Sequence, residues 1–308
     1  MQTEPPLPTE EEVLDYFDYC SNWGRWGPDD SAGTINLITP EKRRAAAGLV
    51  RTGRSVSLSF PWNTIGQPGN WNPAQHYLRF TDAVAVDYIG ILFHGHATTH
   101  IDALCHLFWK GKMWNGKDAS DVTPVGARSG SVDAWSTGIT TRGVLVDIPR
   151  FRGTDYVALD RPVRGWEVEA AAEAQGSPLS PGDAVVIYSG RQKFYAANPD
   201  SVPGVRPTAG VHTDVAPVLK KHDVAILGWD LLDANPTGYR IFDDPPVPGG
   251  GVHILAIVYM GLPLLDNANL QPLAEACAEE GRWEFLLTIN PLVIRGGTGS
   301  PVNPIAIF

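Results

Sequence analysis

The chain has 308 residues, a mass of 33.3 kDa and a formal net charge of −10, from 24 Lys and Arg against 34 Asp and Glu. A hydrophobic fraction of 43% suffices for a full core. The acidic balance, with no basic stripe, excludes a protein that wraps a nucleic-acid backbone. The longest apolar run, VHILAIVYMGLPLL at 252–265, is too short to span a bilayer.

The opening MQTEPPLPTEEEVLDYF is acidic and carries no apolar export segment. Cys20, Cys105 and Cys277 form neither a zinc nor a disulfide pattern. A reducing, cytoplasmic setting is expected. NWGRWGPDDSAGT (22–34) reads as a Gly/Trp/Asp loop. TPEKRRAAAGLVRTG follows as a helix, with Thr39 as N-cap, Pro40 at the first helical position and Gly53 at a left-handed exit. SVSLSF (55–60) is a short strand. A polar stretch rich in Asn, Gly and Pro runs through Trp71 and must lie at the surface or over a cavity. A second extended region spans 78–93.

The rest of the chain alternates. GVLVDI (143–148), DAVVIYSG (183–190), VAILGWD (224–230), HILAIVYM (253–260) and FLLTINPLVI (285–294) are apolar, rich in β-branched residues and bounded by turn residues, which predicts buried strands. WEVEAAAEAQG (166–176), residues 213–221 and PLAEACAEE (272–280) fit helices. The pattern is α/β, with no linker that would divide 1–308 into two domains and no internal repeat.

Four of the eight histidines lie between 94 and 106, three of them in HATTHIDALCH (96–106). In an extended chain His96, Thr98, His100 and Asp102 share one face. On a helix His100 and Asp102 would diverge by about 200°. A helix starting near Asp102 would bring His106 one turn above it. Two imidazoles and a carboxylate make a facial set for a divalent ion such as zinc or manganese, with positions left for water and substrate. The alternative is a set of core histidines bonded to backbone groups. No HExxH and no paired-cysteine zinc motif is present. Cys105, beside His106, reads as a small buried hydrophobe rather than a nucleophile.

HATTHIDALCH resembles the HxGTHxDAPxH signature of the metal-dependent cyclase-like hydrolases, the group that includes bacterial kynurenine formamidase and isatin hydrolase. WGRWGPDDSAGTINLITPEKRRAAAGLVRTGRSVSL looks like the amino-terminal region of a longer subgroup. GWD (228–230), LPLLDNANL (262–270) and GGTGSPVNPIAI (296–307) resemble three further family segments. The resemblance implies a swivelling β/β/α fold with a mixed, partly barrel-like β core flanked by helices. Residues 1–55 are then an amino-terminal extension packed on the domain. It implies His96, His100 and Asp102 as metal ligands and His106 as the acid–base residue. His253 and Asp266 match the positions of a possible second metal site, where aspartate replaces glutamate and reaches one methylene less. One ion per chain, zinc or manganese, is the expectation.

The implied chemistry is hydrolysis of an amide, cyclic amide, imide or lactone by metal-activated water, with His106 moving the proton. SGR at 189–191 ends a predicted strand, where α/β folds place ligand contacts. Ser189 is a candidate for a substrate carbonyl and Arg191 for a carboxylate, with Trp62 and Trp109 as walls for a flat ligand. GGTGS (296–300) reads as a tight turn and not a phosphate loop. A carbonyl-polarising cyclase or isomerase and a non-catalytic small-molecule-binding protein remain the alternatives. Neither nucleic acid nor membrane is an expected partner; a homodimer or homotetramer is.

Overall fold

The computed structural model describes residues 4–247 and 250–308. Nine strands build one sheet: β1 (Ser55–Ser57), β2 (His100–Asp102), β3 (Ile139–Asp147), β4 (Ala184–Tyr188), β5 (Ile226–Trp229), β6 (Leu264–Asp266), β7 (Glu284–Ile289), β8 (Gly299–Pro301) and β9 (Ile305–Ile307). Their spatial order is β1-β9-β7-β3-β4-β5-β6-β2-β8. Neighbours from β3 to β6 run parallel, and the outer pairs run antiparallel. The sheet curls into a half-barrel flanked by helices, a single α/β domain.

Parallel neighbours need crossovers, and the helices supply them. Gly165–Ala174 lies between β3 and β4, Val215–Lys221 between β4 and β5, and the helical run from Gly250 to Met260 between β5 and β6. The parallel strands are buried on both faces, as their unbroken apolar sequences require. Leu145, Val186, Ile226 and Leu265 enter one core cluster. Val146, Val185, Ile187, Leu227 and Leu264 enter a second, on the opposite face. Period-2 alternation thus assigns each strand's residues to two cores.

The amino-terminal residues lie against this body. Thr9 and Glu12 form a capping box for the helix Glu10–Tyr19, which the sequence reading missed. Beyond it, Asn22 N–H donates to Tyr259 O, Trp23 Nε1 to Val258 O and Thr34 Oγ1 to Ala225 O. The helix with Thr39 as N-cap is present, but it ends at Ala47 with Gly48 as its cap, five residues before Gly53.

Three expectations need correction. HILAIVYM (253–260) is not a strand: a helix begins at Gly250 and continues as a π-helix over Ile254–Met260. Its side chains are apolar all round because it is packed all round, and such a run has no period that separates strand from buried helix. FLLTINPLVI is a strand only to Ile289, and Leu292, Val293 and Ile294 are exposed. No helix starts at Asp102; residues 103–106 form a turn closed by His106 N–H to Ala103 O.

The extended region near 78–93 is a separate two-stranded ribbon, Gln75–Phe80 against Ala85–Gly90. It exposes Tyr77, Leu78, Phe80, Val86, Tyr88 and Ile89. Among the described residues no helix is long and apolar enough to cross a membrane.

Candidate metal centre

Strand β2 is three residues long, and its register builds the site. His100 lies opposite Asp266 on β6, and Asp102 lies opposite Gly299 on β8. Alternation sends Ile101 into the core and turns His100 and Asp102 to the other side together. Asp266 is the cross-strand neighbour of His100 and shares that side.

Asp102, 1% exposed, is the hub. Its Oδ1 is 2.9 Å from His94 Nδ1, 3.3 Å from His100 Nε2 and 3.9 Å from His106 Nε2. Its Oδ2 is 4.0 Å from His253 Nε2. Two sets of three bring their ligand atoms within 4.8 Å of one another: His100, Asp102 and Asp266, and His94, Asp102 and His106. Both contain Asp102, so the two sets form one centre.

Neighbouring groups aim each ring. His100 Nδ1–H donates to Thr98 O at 2.8 Å, which leaves the Nε2 lone pair facing the carboxylates. His253 Nδ1 is bonded to Asp233, leaving Nε2 3.1 Å from Asp266 Oδ2. Trp229 Nε1 donates to Asp266 Oδ1 at 2.5 Å and fixes that carboxylate's plane. His94 is held at its far nitrogen by Thr298 Oγ1 at 3.0 Å and stacks on His106, centroids 3.9 Å apart. Gly299 lets His94 come close: a Cβ there would meet His94 Cε1 at 2.8 Å.

The electrostatics ask for positive charge. Burial works to raise the Asp102 pKa, but the imidazoles of His106 and His100 outweigh it and hold the carboxyl well below its usual range. Burial works to lower His253, yet Asp266 and Asp233 hold it well above the ordinary imidazole value. His100 is raised by Asp102 against the same opposing burial. A buried donor set of imidazole nitrogens and carboxylate oxygens that favours added positive charge fits a borderline divalent cation such as zinc or manganese. His106 differs: burial dominates and pushes it down to about 4.

His100, Asp102, His106, His253 and Asp266 come together around the hub. His96 is in neither set of three, but its ring lines a cavity with His253 and lies within electrostatic reach of Asp266, His253 and His100. Strand pairing begins only at His100, so the two-residue alternation stops before it reaches His96. The His96 ring instead packs over Gly204, where a Cβ would come within 2.3 Å of it. Asp266 reaches His100 and Asp102 despite its shorter stem, because the register puts it directly opposite.

Arg191 is spent on the scaffold. It donates to Asp230 O, Asn267 Oδ1 and His96 O at 3.0, 2.7 and 2.6 Å. The Asp230 carboxylate in turn accepts from the backbone N–H of Ser189, Gly190 and Arg191. The Ser189 hydroxyl is buried and has no partner among the described residues. Trp109 stacks on Phe17 at 5.9 Å inside a core cluster, and Trp62 lies exposed on the loop before the ribbon. Burial pushes the Cys105 thiol up to about 12, as its reading as a buried hydrophobe requires.

Sequence reasoning missed Asp233 and Asn267. Asn267 Nδ2 donates to Gly95 O and Thr98 O and so pins the loop that carries His96. Its positive φ of 52° was legible only as an Asn in the DNAN turn.

A cyclase family model described as "Putative cyclase" matches residues 56–236. The crystal structure of a novel cyclase is 29% identical, with a TM-score of 0.78, covering 94% of this chain and 99% of its own. Isatin hydrolase A from Labrenzia aggregata is 19% identical with a TM-score of 0.56, covering 85% of this chain and 94% of its own. An isatin hydrolase bound to the product analogue thioisatinate is 17% identical with a TM-score of 0.57, covering 88% and 97%. These last two share the fold. No protein of curated function matches by sequence. With its family segment matched over more than half its length, the chain belongs to the putative cyclase family.

Proposed function

We propose that the protein is a metal-dependent hydrolase of a small amide, cyclic amide, imide or lactone, with carbon–nitrogen bonds as its main target. The observation that carries this is the Asp102 hub, buried and ringed by four imidazoles, one of which, His253, also lines a small cavity with His96. A divalent ion bound by His100, Asp102 and Asp266, with His253 adjacent, supplies Lewis acidity toward a carbonyl and lowers the pKa of water. One ion per chain suits a single centre built on one shared carboxylate.

The protein's own groups do the rest. Burial opposes the charge on Asp102, but the imidazoles around it favour its ionised form. Asp233 and Thr98 O fix His253 and His100 in the tautomers that present Nε2. His106 is neutral above about pH 4, so its Nε2 can accept the proton of an attacking water and return it to the leaving nitrogen or oxygen. His94 keeps that ring in place by stacking. The fold shared with isatin hydrolases supports a cyclic amide as the first substrate to try.

A second reading, ring closure or isomerisation of a carbonyl compound at the same centre, has the family description in its favour. The experiment is turnover on N-formyl amides, cyclic imides and lactones, followed by product mass, before and after chelation and metal return. Addition of 18 mass units that stops on chelation supports hydrolysis. Products isomeric with the substrate, or formed by loss of water, support the second reading.

A further inference from the structure

Strands β5 and β6 run parallel, with Leu264 beside Leu227 and Leu265 beside Gly228. One step further along the same register, Asp266 stands beside Trp229. Neighbours in register point to the same side of a sheet, so the two side chains meet. Trp229 Nε1 donates to Asp266 Oδ1 at 2.5 Å. The turn after β6 closes the pair, with Ala268 N–H donating to Trp229 O at 3.0 Å.

Trp229 is fully buried, and its ring lies 5.2 Å from that of His253. Its indole N–H has Asp266 as its one acceptor among the described residues, and a buried N–H that loses its acceptor is costly. Asp266 is 3% exposed, and its two oxygens are used differently. Oδ1 is turned to the indole. Oδ2 lies 3.1 Å from His253 Nε2, which is 4.0 Å from Asp102 Oδ2. Turning the carboxylate to bring both oxygens to one ion would break the indole bond.

We propose that Trp229 is a positioning residue that holds Asp266 as a one-oxygen ligand, and so widens the centre's preference for zinc over manganese. This rests on the reading of Asp266 as a metal ligand. Zinc takes about four nitrogen and oxygen donors. Manganese suits six-coordinate, oxygen-rich sites, to which a carboxylate giving both oxygens would contribute. The His100 and His253 nitrogens with one Asp266 oxygen suit the first ion better than the second.

The test is metal binding by the full chain after chelation and dialysis. Zinc and manganese affinities are read by competition with a chromophoric chelator. Cobalt serves as a visible probe, absorbing strongly when four-coordinate and weakly when six-coordinate. Trp229→Phe should lower zinc affinity by roughly 10- to 100-fold, the usual effect of losing a group that orients a ligand. Manganese affinity should fall by less, so the ratio of the two narrows, and the cobalt absorption should weaken. β-(3-Benzothienyl)alanine at position 229 keeps the size of the ring and lacks the N–H, which separates the hydrogen bond from the packing. It should reproduce Trp229→Phe, with circular dichroism showing that each variant is folded. A folded benzothienyl variant that keeps the wild-type ratio of affinities, or the wild-type cobalt spectrum, overturns the proposal. A wild type that binds neither ion overturns both it and the metal centre. Absence of turnover on every amide and lactone would sink the hydrolase reading alone, because the readout is binding.

Discussion

His106 and His94 lie face to face, 8° from parallel, and only one of them is free to move a proton. His94 has both nitrogens engaged, by Asp102 and by Thr298. His106 Nε2 is 3.9 Å from Asp102, too far for a hydrogen bond, and its side chain is 27% exposed. It therefore suits proton transfer better than anchoring. His106→Asn should keep the metal and the fold and lower kcat/KM by roughly 10²- to 10⁴-fold, the usual contribution of a placed acid–base group. His100→Asn should lose metal and activity together. Metal analysis beside kinetics checks both, and metal loss in His106→Asn would make that residue a ligand. At this scale, His100 and Asp102 were legible because two-residue alternation is local to a strand. Asp233 and Asn267 were not, because they act on residues 20 and about 170 positions away. Nothing in a local pattern reports such pairings.

Elements were legible where their apolar pattern had a direction. The parallel strands read as unbroken β-branched runs, and the helices Gly165–Ala174 and Gln271–Glu280 as alanine-rich segments. The run 253–260 had no polar face and hence no period, so only packing could decide it. How the elements are tied together was also hidden. Asp214, at the start of helix Val215–Lys221, accepts from Arg164 Nε at 2.6 Å and Gly165 N–H at 3.0 Å, and Arg164 donates onward to Pro6 O. One carboxylate thereby joins two helices and, through Arg164, the amino-terminal segment. Burial opposes its ionisation, but His212 and Arg164 outweigh burial and hold its pKa below the ordinary value. A folded pKa below the unfolded one favours folding at pH above about 4, and that contribution is lost as pH falls through the folded value. Asp214→Asn should therefore cost roughly 3–5 kcal/mol near neutrality, as breaking a buried pair does, and less at pH 3. Thermal unfolding at both pH values checks it; an equal loss at both contradicts the assignment.

For the whole molecule, the ribbon 75–90 is the part least accounted for by one chain. A two-stranded ribbon is marginal by itself, and this one exposes apolar side chains on both faces. We propose that a second copy covers it. The chain as a whole carries −10, but the ribbon has Arg79 near Asp82, with Asp87 paired to His76, so two copies can meet there with little like-charge repulsion. Light scattering should give a multiple of 33.3 kDa, and Leu78→Glu with Phe80→Glu should reduce it to one chain. A wild type already at one chain contradicts this. The whole centre is built on Asp102, the carboxylate that His94, His100, His106 and His253 approach. The most direct measurement is elemental analysis of the protein purified without chelator, wild type beside Asp102→Asn, with circular dichroism to show that both are folded. The wild type should carry at least one zinc or manganese per chain and the folded variant none. Equal metal in the two, or no divalent metal in the wild type, would contradict it.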